Sequence, residues 1–591
     1  MMMIFKTDKF TKEVLFLFKF ITNNYFNNYN KDLDKLVLHF FKSHFLVLLF
    51  IKISFYFLNI LSLILYKKKF TKIEHEQFYN ILKKIEKLKF LQSNKIIELF
   101  HAISSIHLDG KEKSNKVNLQ TNIQIKDFYE NIVVGSGPGG SITANELNEA
   151  NQDVLLIEKG NWFEHFKLKH PGEEFFLKWK NGGLAAALGN IKIQYASAEC
   201  FGGGSEINSG LYHEPDENFL SEWSRKFNTD KINYNELKSF IDETRKSTNV
   251  SYLQNYPPIT KKILKSADNN NWKIEEIPRW CSEENDNFVK KSMTKTYLKD
   301  YLDKNGQISL DTKVCKIYKK GNIWVLDIVK NKIKKSISCK NIFLCCGSLE
   351  NIKILKDNKL TKKTNKVSFH PMIKVIVKFP EKINKQNMEI LTHQVTQFFP
   401  DFLLGNAASG LPFLKIATQH DKELYDDVSK NWENMLIFHS TFSIGSGDVL
   451  NLPFIDEPIV RYQIKNKEIG LIKDGLKKLC KLLIDAECDY VYPIVKEPLK
   501  LNKHNYNDFV DNINKVTELN YSTVHILGGV PMGENRDICA VNSYGELHGK
   551  KNFYINDSSL ICNKLLKNPQ GTVMAIALRN IKHFLKENKQ L

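Results

Sequence analysis

Residues 127–160 read DFYENIVVGSGPGGSITANELNEANQDVLLIEKG, and this stretch decides the fold class. Ile132–Val134 is a short run of β-branched residues, which is typical of a buried parallel strand. A glycine-rich segment follows at once, Ser141–Ala150 is compatible with a helix, and Val154–Ile157 predicts a second strand. The order of strand, glycine-rich turn, helix and strand predicts a βαβ unit in an α/β fold.

The glycines of this segment predict a site for a dinucleotide. Gly135 permits a tight turn, Gly137 lets a pyrophosphate approach the backbone, and Gly140 lets the helix pack on the strand. Gly139 lies in the same loop, and the helix N-terminus offers free N–H groups to phosphates. Glu158, about 20 residues further on, can accept hydrogen bonds from a ribose. The alternative is an ordinary βα turn, because glycine-rich turns are common.

The composition argues against a nucleic-acid partner despite a net charge of +19. Phosphate and base recognition favours arginine forks and basic stripes. Lysine and asparagine are instead scattered along the whole chain, which a coding bias explains better than a binding face. The arginines are few: Arg225, Arg245, Arg279, Arg461, Arg536 and Arg579.

The ten cysteines form no regular framework and no pair of C-x-x-C motifs. Cys345 and Cys346 lie in an apolar run, where core packing is the simpler role. We therefore expect free thiols in a reducing compartment and no bound metal.

The most apolar segment is Phe45–Tyr66, and Lys67–Lys69 follow it. Its length suits one membrane span of about 20 residues, but Lys52 and Asn59 fall on one helix face. Such a helix could instead lie in the membrane interface or form a buried hairpin. We expect membrane association, with the lysines and the catalytic domain on the cytoplasmic side if the helix spans.

Two further regions carry candidate chemistry. Residues 200–210 read CFGGGSEINSG, in which three glycines suggest close approach of the backbone to a ligand; a flexible surface turn is the alternative. Near the C-terminus, His525 lies in YSTVHILGGVPMG, and Asp557 follows a predicted strand. A lone histidine in such a run is more often a core residue than a base. Asn568-Pro569 then precedes the last helix.

The order of these motifs resembles the glucose–methanol–choline (GMC) family of flavin oxidoreductases, from about residue 127 to the C-terminus. The similarity is greatest to the branch of long-chain alcohol oxidases and dehydrogenases, as GGGSEINSGLYHEP, KSMTKTYL at 291–298 and His370-Pro371-Met372 suggest. The resemblance implies FAD as the cofactor. It implies His525 and Asn568 as catalytic residues. The implied cofactor-binding residues are Gly135, Gly137, Gly139, Gly140, Glu158, Gly203, Ser205, Asn208, Val314, Asp557 and Ser558.

The resemblance also implies the reaction. An alcohol would lose its hydroxyl proton to His525 and a hydride from its carbon to flavin N5, while the Asn568 amide stabilises the developing alkoxide. The electron acceptor would be oxygen or a quinone-type molecule, and the membrane setting suggests an apolar alcohol. Some relatives attach FAD through a histidine where this chain has Ile207, so we expect non-covalent FAD. The alternative function is a non-redox FAD enzyme of the same fold, a lyase or decarboxylase.

The predicted architecture is a discontinuous Rossmann-like FAD-binding domain with an inserted α+β substrate domain and a helical, apolar N-terminal region. The predicted boundaries are 1–70 for the apolar N-terminal region, 71–125 for a helical linker, 126–365 for the FAD-binding domain, 366–515 for the substrate domain and 516–591 for the C-terminal completion of the FAD domain. Strands are predicted at Ile308–Ile317, Ile323–Ile328, Ile342–Cys346 and Ile373–Phe379.

Overall fold

The structure is a computed structural model. It describes residues 45–69, 72–74, 76–77, 80–81, 124–162, 174–175, 177–183, 185–254, 256–284, 287–384, 393–418, 421–452, 457–495, 499–562 and 564–589. Most of the predicted linker at 71–125 and all of residues 1–44 lie outside these ranges.

The described elements form a mixed α/β architecture. The strands are β1 Phe128–Val134, β2 Val154–Ile157, β3 Ala185–Gly189, β4 Ile193–Tyr195, β5 Val250–Ser251, β6 Ile274–Glu276, β7 Arg279–Glu284, β8 Asn287–Lys290, β9 Gln307–Ser309, β10 Thr312–Lys320, β11 Ile323–Lys330, β12 Ile333–Leu344, β13 Val367–Phe369, β14 Met372–Lys378, β15 His393–Val395, β16 Phe402–Ala407, β17 Met435–Phe442, β18 Ser446–Leu450, β19 Ile459–Gln463, β20 Tyr490–Pro493, β21 Tyr521–Thr523, β22 Ile526–Gly528 and β23 Phe553–Ile555. The α-helices are α1 Phe45–Tyr66, α2 Pro138–Glu149, α3 Gly204–Ile207, α4 Glu217–Phe227, α5 Tyr234–Ser247, α6 Ile259–Asn269, α7 Tyr297–Asp303, α8 Ser348–Asp357, α9 Leu411–Thr418, α10 Lys422–Asn431, α11 Ile469–Asp485, α12 Tyr506–Asp511 and α13 Gln570–Lys589.

A seven-stranded sheet contains the predicted βαβ unit. Its order is β10-β11-β12-β1-β2-β9, and β23 also pairs with β12. β23, β12, β1, β2 and β9 are parallel, whereas β10, β11 and β12 form an antiparallel meander. Ile132, Val133 and Leu155 are fully buried, as expected for parallel strands covered on both faces. The sheet is discontinuous in sequence, because β23 comes from the C-terminal region.

The second large sheet has thirteen strands. Its order is β22-β13-β18-β19-β3-β4-β21-β14-β17-β16-β15-β6, and β20 also pairs with β14. Helix α11 packs on β14, β16 and β17, and the Ser440 hydroxyl donates to the Gly475 carbonyl at 2.7 Å. β3, β4, β6, β21 and β22 come from outside 366–515, so this sheet combines strands of the predicted substrate domain with strands from other parts of the chain.

The chain divides into two compact units. The larger unit holds both large sheets and comprises residues 114–167, 176–409 and 433–591. Within it, α13 packs against α2 and α5. The smaller unit comprises residues 1–113, 168–175 and 410–432, and its described helices are α1, α9 and α10.

Helix α1 covers the apolar segment in which we predicted a membrane span, and its side chains are described from Tyr56 onward. Tyr56, Ile60 and Ile64 are exposed, whereas Leu58 and Ser62 are buried. Within the described ranges, no helix combines the length and apolar character needed to cross a membrane. The transmembrane helix is therefore not found there, and membrane association stays a prediction.

Candidate active site

The first glycine-rich loop joins β1 to α2 in a conformation that leaves room for a ligand. Gly135 has φ +98°, and a Cβ there would lie 2.3 Å from the Cys345 carbonyl oxygen. Gly137 is the N-cap of α2, no side chain caps this helix, and a Cβ on Gly137 would meet nothing within 4 Å. The space beside Gly137 at this helix N-terminus is therefore open, which suits a bound phosphate.

The next two glycines pack the helix against its surroundings. A Cβ on Gly139 would lie 1.9 Å from the Asn556 carbonyl oxygen, and one on Gly140 would lie 1.8 Å from the Gly135 carbonyl oxygen. Neither position tolerates a side chain without a shift of the backbone. Gly139 thus brings the C-terminal segment against the loop.

The second glycine-rich loop contacts the first. Gly203 has φ +55°, and a Cβ there would lie 2.7 Å from the Gly137 Cα. The Gly202 N–H donates to the Ser136 hydroxyl at 3.1 Å. The Ser205 hydroxyl donates to the Gly202 carbonyl at 2.8 Å and accepts from the Met293 N–H at 3.1 Å. Gly203 therefore packs directly against Gly137, and the hydrogen bonds of the Ser205 hydroxyl stabilise the conformation of the second loop.

Glu158 lies at the end of β2, beside the first loop. Its Oε2 accepts from the N–H and the hydroxyl of Ser136 at 3.0 and 2.6 Å, and its Oε1 accepts from the Gly160 N–H at 2.7 Å. Burial raises the pKa of Glu158, and the hydrogen bonds from Ser136 and Gly160 oppose this shift. Val314 lies near this end of the sheet, two residues after Thr312, whose N–H donates to the Glu158 carbonyl at 2.9 Å.

Asp557 joins the C-terminal segment to the start of α8. Its Oδ2 accepts from the Gly347 N–H at 2.6 Å and the Asn351 amide at 2.9 Å, and its Oδ1 accepts from the N–H and hydroxyl of Ser559. Burial raises the pKa of Asp557, and these donors oppose the shift. Ser558 begins the short 3₁₀ helix that Asp557 caps and is half-buried.

His525 contacts His370, which lies 155 residues earlier in the sequence. β13 and β22 are antiparallel, with Phe369 opposite Ile526, so His370 and His525 fall one position beyond the ladder. Their Nδ1 atoms are 3.0 Å apart and their ring planes are nearly perpendicular, at 83°. Burial lowers the pKa of His525 to about 4. The pKa of His370 lies well below its ordinary value, because the ring is buried and His525 is close.

An Nδ1···Nδ1 hydrogen bond needs one donor ring and one acceptor ring. When His525 is the donor, its Nε2 keeps a lone pair and can accept a proton from a ligand. His370 then carries its own proton on Nε2. The Leu565 backbone is close enough to this ring to raise its pKa slightly, but Nε2 has no hydrogen-bond partner at ordinary distance among the described residues. The Nε2 of His525 also has no hydrogen-bond partner within the described part of the chain, so it is available to a substrate.

Further basic groups surround this pair. The pKa values of His213 and His439 are lowered to about 3, mainly by burial, and the nearby His525 contributes to both shifts. Lys374 is the register neighbour of His439 on β14. Sequence reasoning noted His370 without assigning it a role, and gave none to the other three. Their separations in sequence carry no local pattern, because Lys374 and His439 lie on paired strands of the large sheet, His370 lies between β13 and β14, and His213 lies between α3 and α4.

Asn568 and Asn208 lie near the start of α13. The Asn208 amide donates to the Gln570 side-chain oxygen at 3.2 Å, and Asn568 is half-buried two residues before Gln570. The second glycine-rich loop is thus tied to the segment that carries Asn568. A pairing of Asn568 with His525 stays a prediction.

The geometry can be compared with known proteins. The profile of the GMC oxidoreductase N-terminal domain matches residues 176–373, and that of the C-terminal domain matches residues 443–577. The chain belongs to the GMC oxidoreductase family. An uncharacterised GMC-type oxidoreductase of Sinorhizobium fredii is 26% identical over 484 residues, which cover 78% of this chain and 96% of that protein. The long-chain-alcohol oxidase FAO3 of Arabidopsis thaliana is 23% identical over 514 residues, which cover 76% of this chain and 66% of the oxidase.

Solved structures share the fold of this GMC oxidoreductase. Pyridoxine 4-oxidase from Mesorbium loti matches with a TM-score of 0.61 at 12% identity, over 78% of this chain and 99% of that one. An FAD-dependent oxidoreductase from Chaetomium thermophilum matches with a TM-score of 0.59 at 14% identity, over 78% and 100% of the two chains. The predicted family, the α/β fold class with its FAD-binding fold, and the FAD cofactor are confirmed, whereas the helical, apolar N-terminal region stays a prediction.

The residues present fit FAD. The open surface over Gly137 and the uncapped N-terminus of α2 suit a pyrophosphate. Glu158 is a buried acceptor at the end of β2, where a Rossmann-type fold binds ribose. The two glycine-rich loops contact each other at Gly137 and Gly203, so residues of both can reach one extended cofactor.

Proposed function

We propose that this GMC oxidoreductase oxidises the CH–OH group of an alcohol, with His525 as the general base. The observation that supports it best is the His370–His525 pair, because its Nδ1···Nδ1 contact leaves the Nε2 of His525 without a hydrogen-bond partner in the described part of the chain. The lowered pKa keeps this ring neutral at physiological pH, which is the form a base requires.

In the proposed reaction, His525 accepts the proton of the substrate hydroxyl at Nε2. When bound, FAD supplies the acceptor for the hydride that leaves the alcohol carbon, so the alcohol loses two electrons and two hydrogens and becomes a carbonyl compound. His370 keeps the proton of His525 on Nδ1 and thereby orients the base. The Asn568 amide donates a hydrogen bond to the oxygen on which negative charge develops.

The binding roles follow the same assignment. Gly135, Gly137, Gly139 and Gly140 form or support the pyrophosphate site; Glu158 and Val314 lie at the adenosine end; Gly203, Ser205 and Asn208 lie on the flavin side; Asp557 and Ser558 lie between them. FAD is held without a covalent bond, because Ile207 has no nucleophile.

The setting and partners are also proposals. Helix α1 exposes Tyr56, Ile60 and Ile64, which suits attachment to a membrane with the catalytic domain on the cytoplasmic side. An apolar alcohol would fit that setting and the similarity to FAO3, whose name states long-chain alcohols. The electron acceptor is oxygen or a quinone-type molecule.

The test is anaerobic. The FAD-loaded protein is mixed with alcohols of increasing chain length, and the visible band of oxidised flavin is followed. Loss of the band together with formation of the matching aldehyde or ketone is expected, and readmission of air then separates an oxidase from a dehydrogenase. A stable band with every alcohol would contradict the proposal and favour non-redox chemistry.

A further inference from the structure

The basic groups around His525 belong to the larger unit and are not fully covered. Lys374, His439 and His525 each keep part of their surface accessible, although burial is the first cause of the lowered pKa of all three. His439 lies near both other residues, since the charges of Lys374 and His525 each lower its pKa.

Lys374 belongs to a row of residues that crosses four strands of the large sheet. Lys374 on β14 lies opposite His439 on β17, and His439 lies opposite Gly405 on β16. A Cβ on Gly405 would lie 3.3 Å from the His439 ring and 3.5 Å from the Gln394 side chain of β15. Residues opposite one another on neighbouring strands share a face of the sheet, so this row forms one surface.

The row lies on the face of the sheet away from α11. Ser440 and Phe442, the neighbours of His439 and Thr441 in sequence, contact Gly475 of α11. Because successive side chains of a strand point to opposite faces, His439 and Thr441 point to the other side, where the Thr441 hydroxyl bonds Nδ1 of His439 at 2.9 Å. That side is the one close to His525.

This surface carries positive charge and unused polar atoms. No carboxylate lies within salt-bridge distance of the Lys374 amine among the described residues. Burial alone lowers the pKa of Lys374, to about 8, with no acid to oppose the shift. The Nδ1 of His213 and the Oε1 of Gln394 are buried without a hydrogen-bond partner at ordinary distance in the described part of the chain, although Gln394 lies close enough to His213 to oppose the lowering of its pKa. A half-buried ammonium without a counter-ion costs free energy unless a ligand supplies the opposite charge.

We propose that the substrate is an alcohol with an anionic group, a carboxylate or a phosphate, that pairs with Lys374. The inference rests on the proposed function, because it assigns one end of the substrate to Lys374 and the hydroxyl end to His525. This inference narrows the apolar alcohol considered above to one whose chain ends in an anion, because an uncharged alkanol would leave the charge of Lys374 unpaired.

The experiment compares matched substrates on the FAD-loaded protein. Under anaerobic conditions, the rate of flavin bleaching per unit concentration is measured for ω-hydroxyalkanoates, ω-hydroxyalkyl phosphates and n-alkanols of equal chain length. We expect one of the anionic series to react faster than the alkanols. Lys374→Gln should reduce this preference roughly ten- to hundredfold, the range for a hydrogen bond to a charged group. Lys378→Gln, at the end of the same strand, should keep it.

Two results would overturn the inference while the proposed function stands. One is faster reaction of the alkanols, or an anion preference that survives in Lys374→Gln. The other is equal slowing of both kinds of alcohol in Lys374→Gln, which would place the amine against the cofactor.

If no alcohol bleaches the flavin, the proposed function fails, and the anion site is tested by binding. The three proteins are titrated with hexanoate and with inorganic phosphate while the flavin absorbance is recorded. A spectral change that disappears only in Lys374→Gln supports the site. A spectral change common to all three proteins, or none in any, overturns it.

Discussion

Replacing His525 with asparagine should slow flavin reduction by an alcohol without removing FAD. General base catalysis contributes about 10²- to 10⁴-fold, which corresponds to about 3–5 kcal/mol of the activation barrier. The structure also predicts the pH at which the base stops working. Burial lowers the pKa of His525 to about 4, so the ring is neutral above that pH and is protonated below it.

The assay is anaerobic stopped-flow reduction as a function of pH with an uncharged alcohol. In the parent protein, the second-order rate constant should fall on the acid side with a midpoint near pH 4 and stay constant up to neutral pH. His525→Asn should lower this rate constant about 10²- to 10⁴-fold and should remove its fall on the acid side. His504→Asn is the control, because His504 is exposed. An acid limb near pH 6.5, or a loss of less than tenfold in His525→Asn, would refute the reasoning.

Three other predictions concern the loops, the histidine pair and acid stability. Gly203→Ala should lower the FAD content and the melting temperature, because φ at Gly203 is +55° and the added Cβ would lie 2.7 Å from the Gly137 Cα. The control Gly470→Ala should lower neither, because its Cβ would meet nothing within 4 Å. Equal FAD content in the two variants would contradict this prediction. His370→Phe should lower the reduction rate and shift the acid limb of His525, because the acceptor of its Nδ1 proton is lost; a lower rate with an unmoved limb would leave His370 a purely structural role. The pKa of His439 is about 3 in the folded protein and about 6.5 in the unfolded chain. Between these pH values the histidine binds a proton only in the unfolded chain. His439 therefore makes the free energy of unfolding fall as the pH drops from 6.5 towards 3. Urea unfolding at pH 7 and pH 5 should show a smaller loss for His439→Gln than for the parent, and an equal loss would contradict the assignment.

The local part of the fold could be predicted from the sequence. The predicted strand Val154–Ile157 has the same bounds as β2, and the predicted strand at 132–134 lies inside β1. The helix begins at Pro138, three residues earlier than predicted, because glycines of the loop form its first turn. These features depend on residue types within one βαβ unit, so the residue pattern carries them.

The non-local part could not be predicted in this way. The single strand predicted at 308–317 is two strands, β9 and β10, separated at Leu310–Asp311, where Asp311 has φ +50°. The two strands belong to opposite edges of the seven-stranded sheet. Hydrophobic periodicity does not show which neighbour a strand pairs with, so the break was not visible.

The candidate site also has a local part that could be predicted from the sequence and a non-local part that could not. The glycines and Glu158 were predicted because their spacing is a local motif. His370, His213, His439 and Lys374 were not assigned, because they lie far apart in sequence and the pairing of distant strands sets the positions of three of them: β13 with β22 for His370, and β14 with β17 for Lys374 and His439. No local spacing could have connected them.

The central claim is that the C–H bond of an alcohol is broken when the flavin is reduced. The most direct test compares anaerobic bleaching of the flavin by an alcohol and by the same alcohol with deuterium on its hydroxyl-bearing carbon. We predict slower bleaching with the deuterated alcohol and recovery of the deuterated carbonyl product. Bleaching by neither alcohol, with FAD bound, would contradict the account.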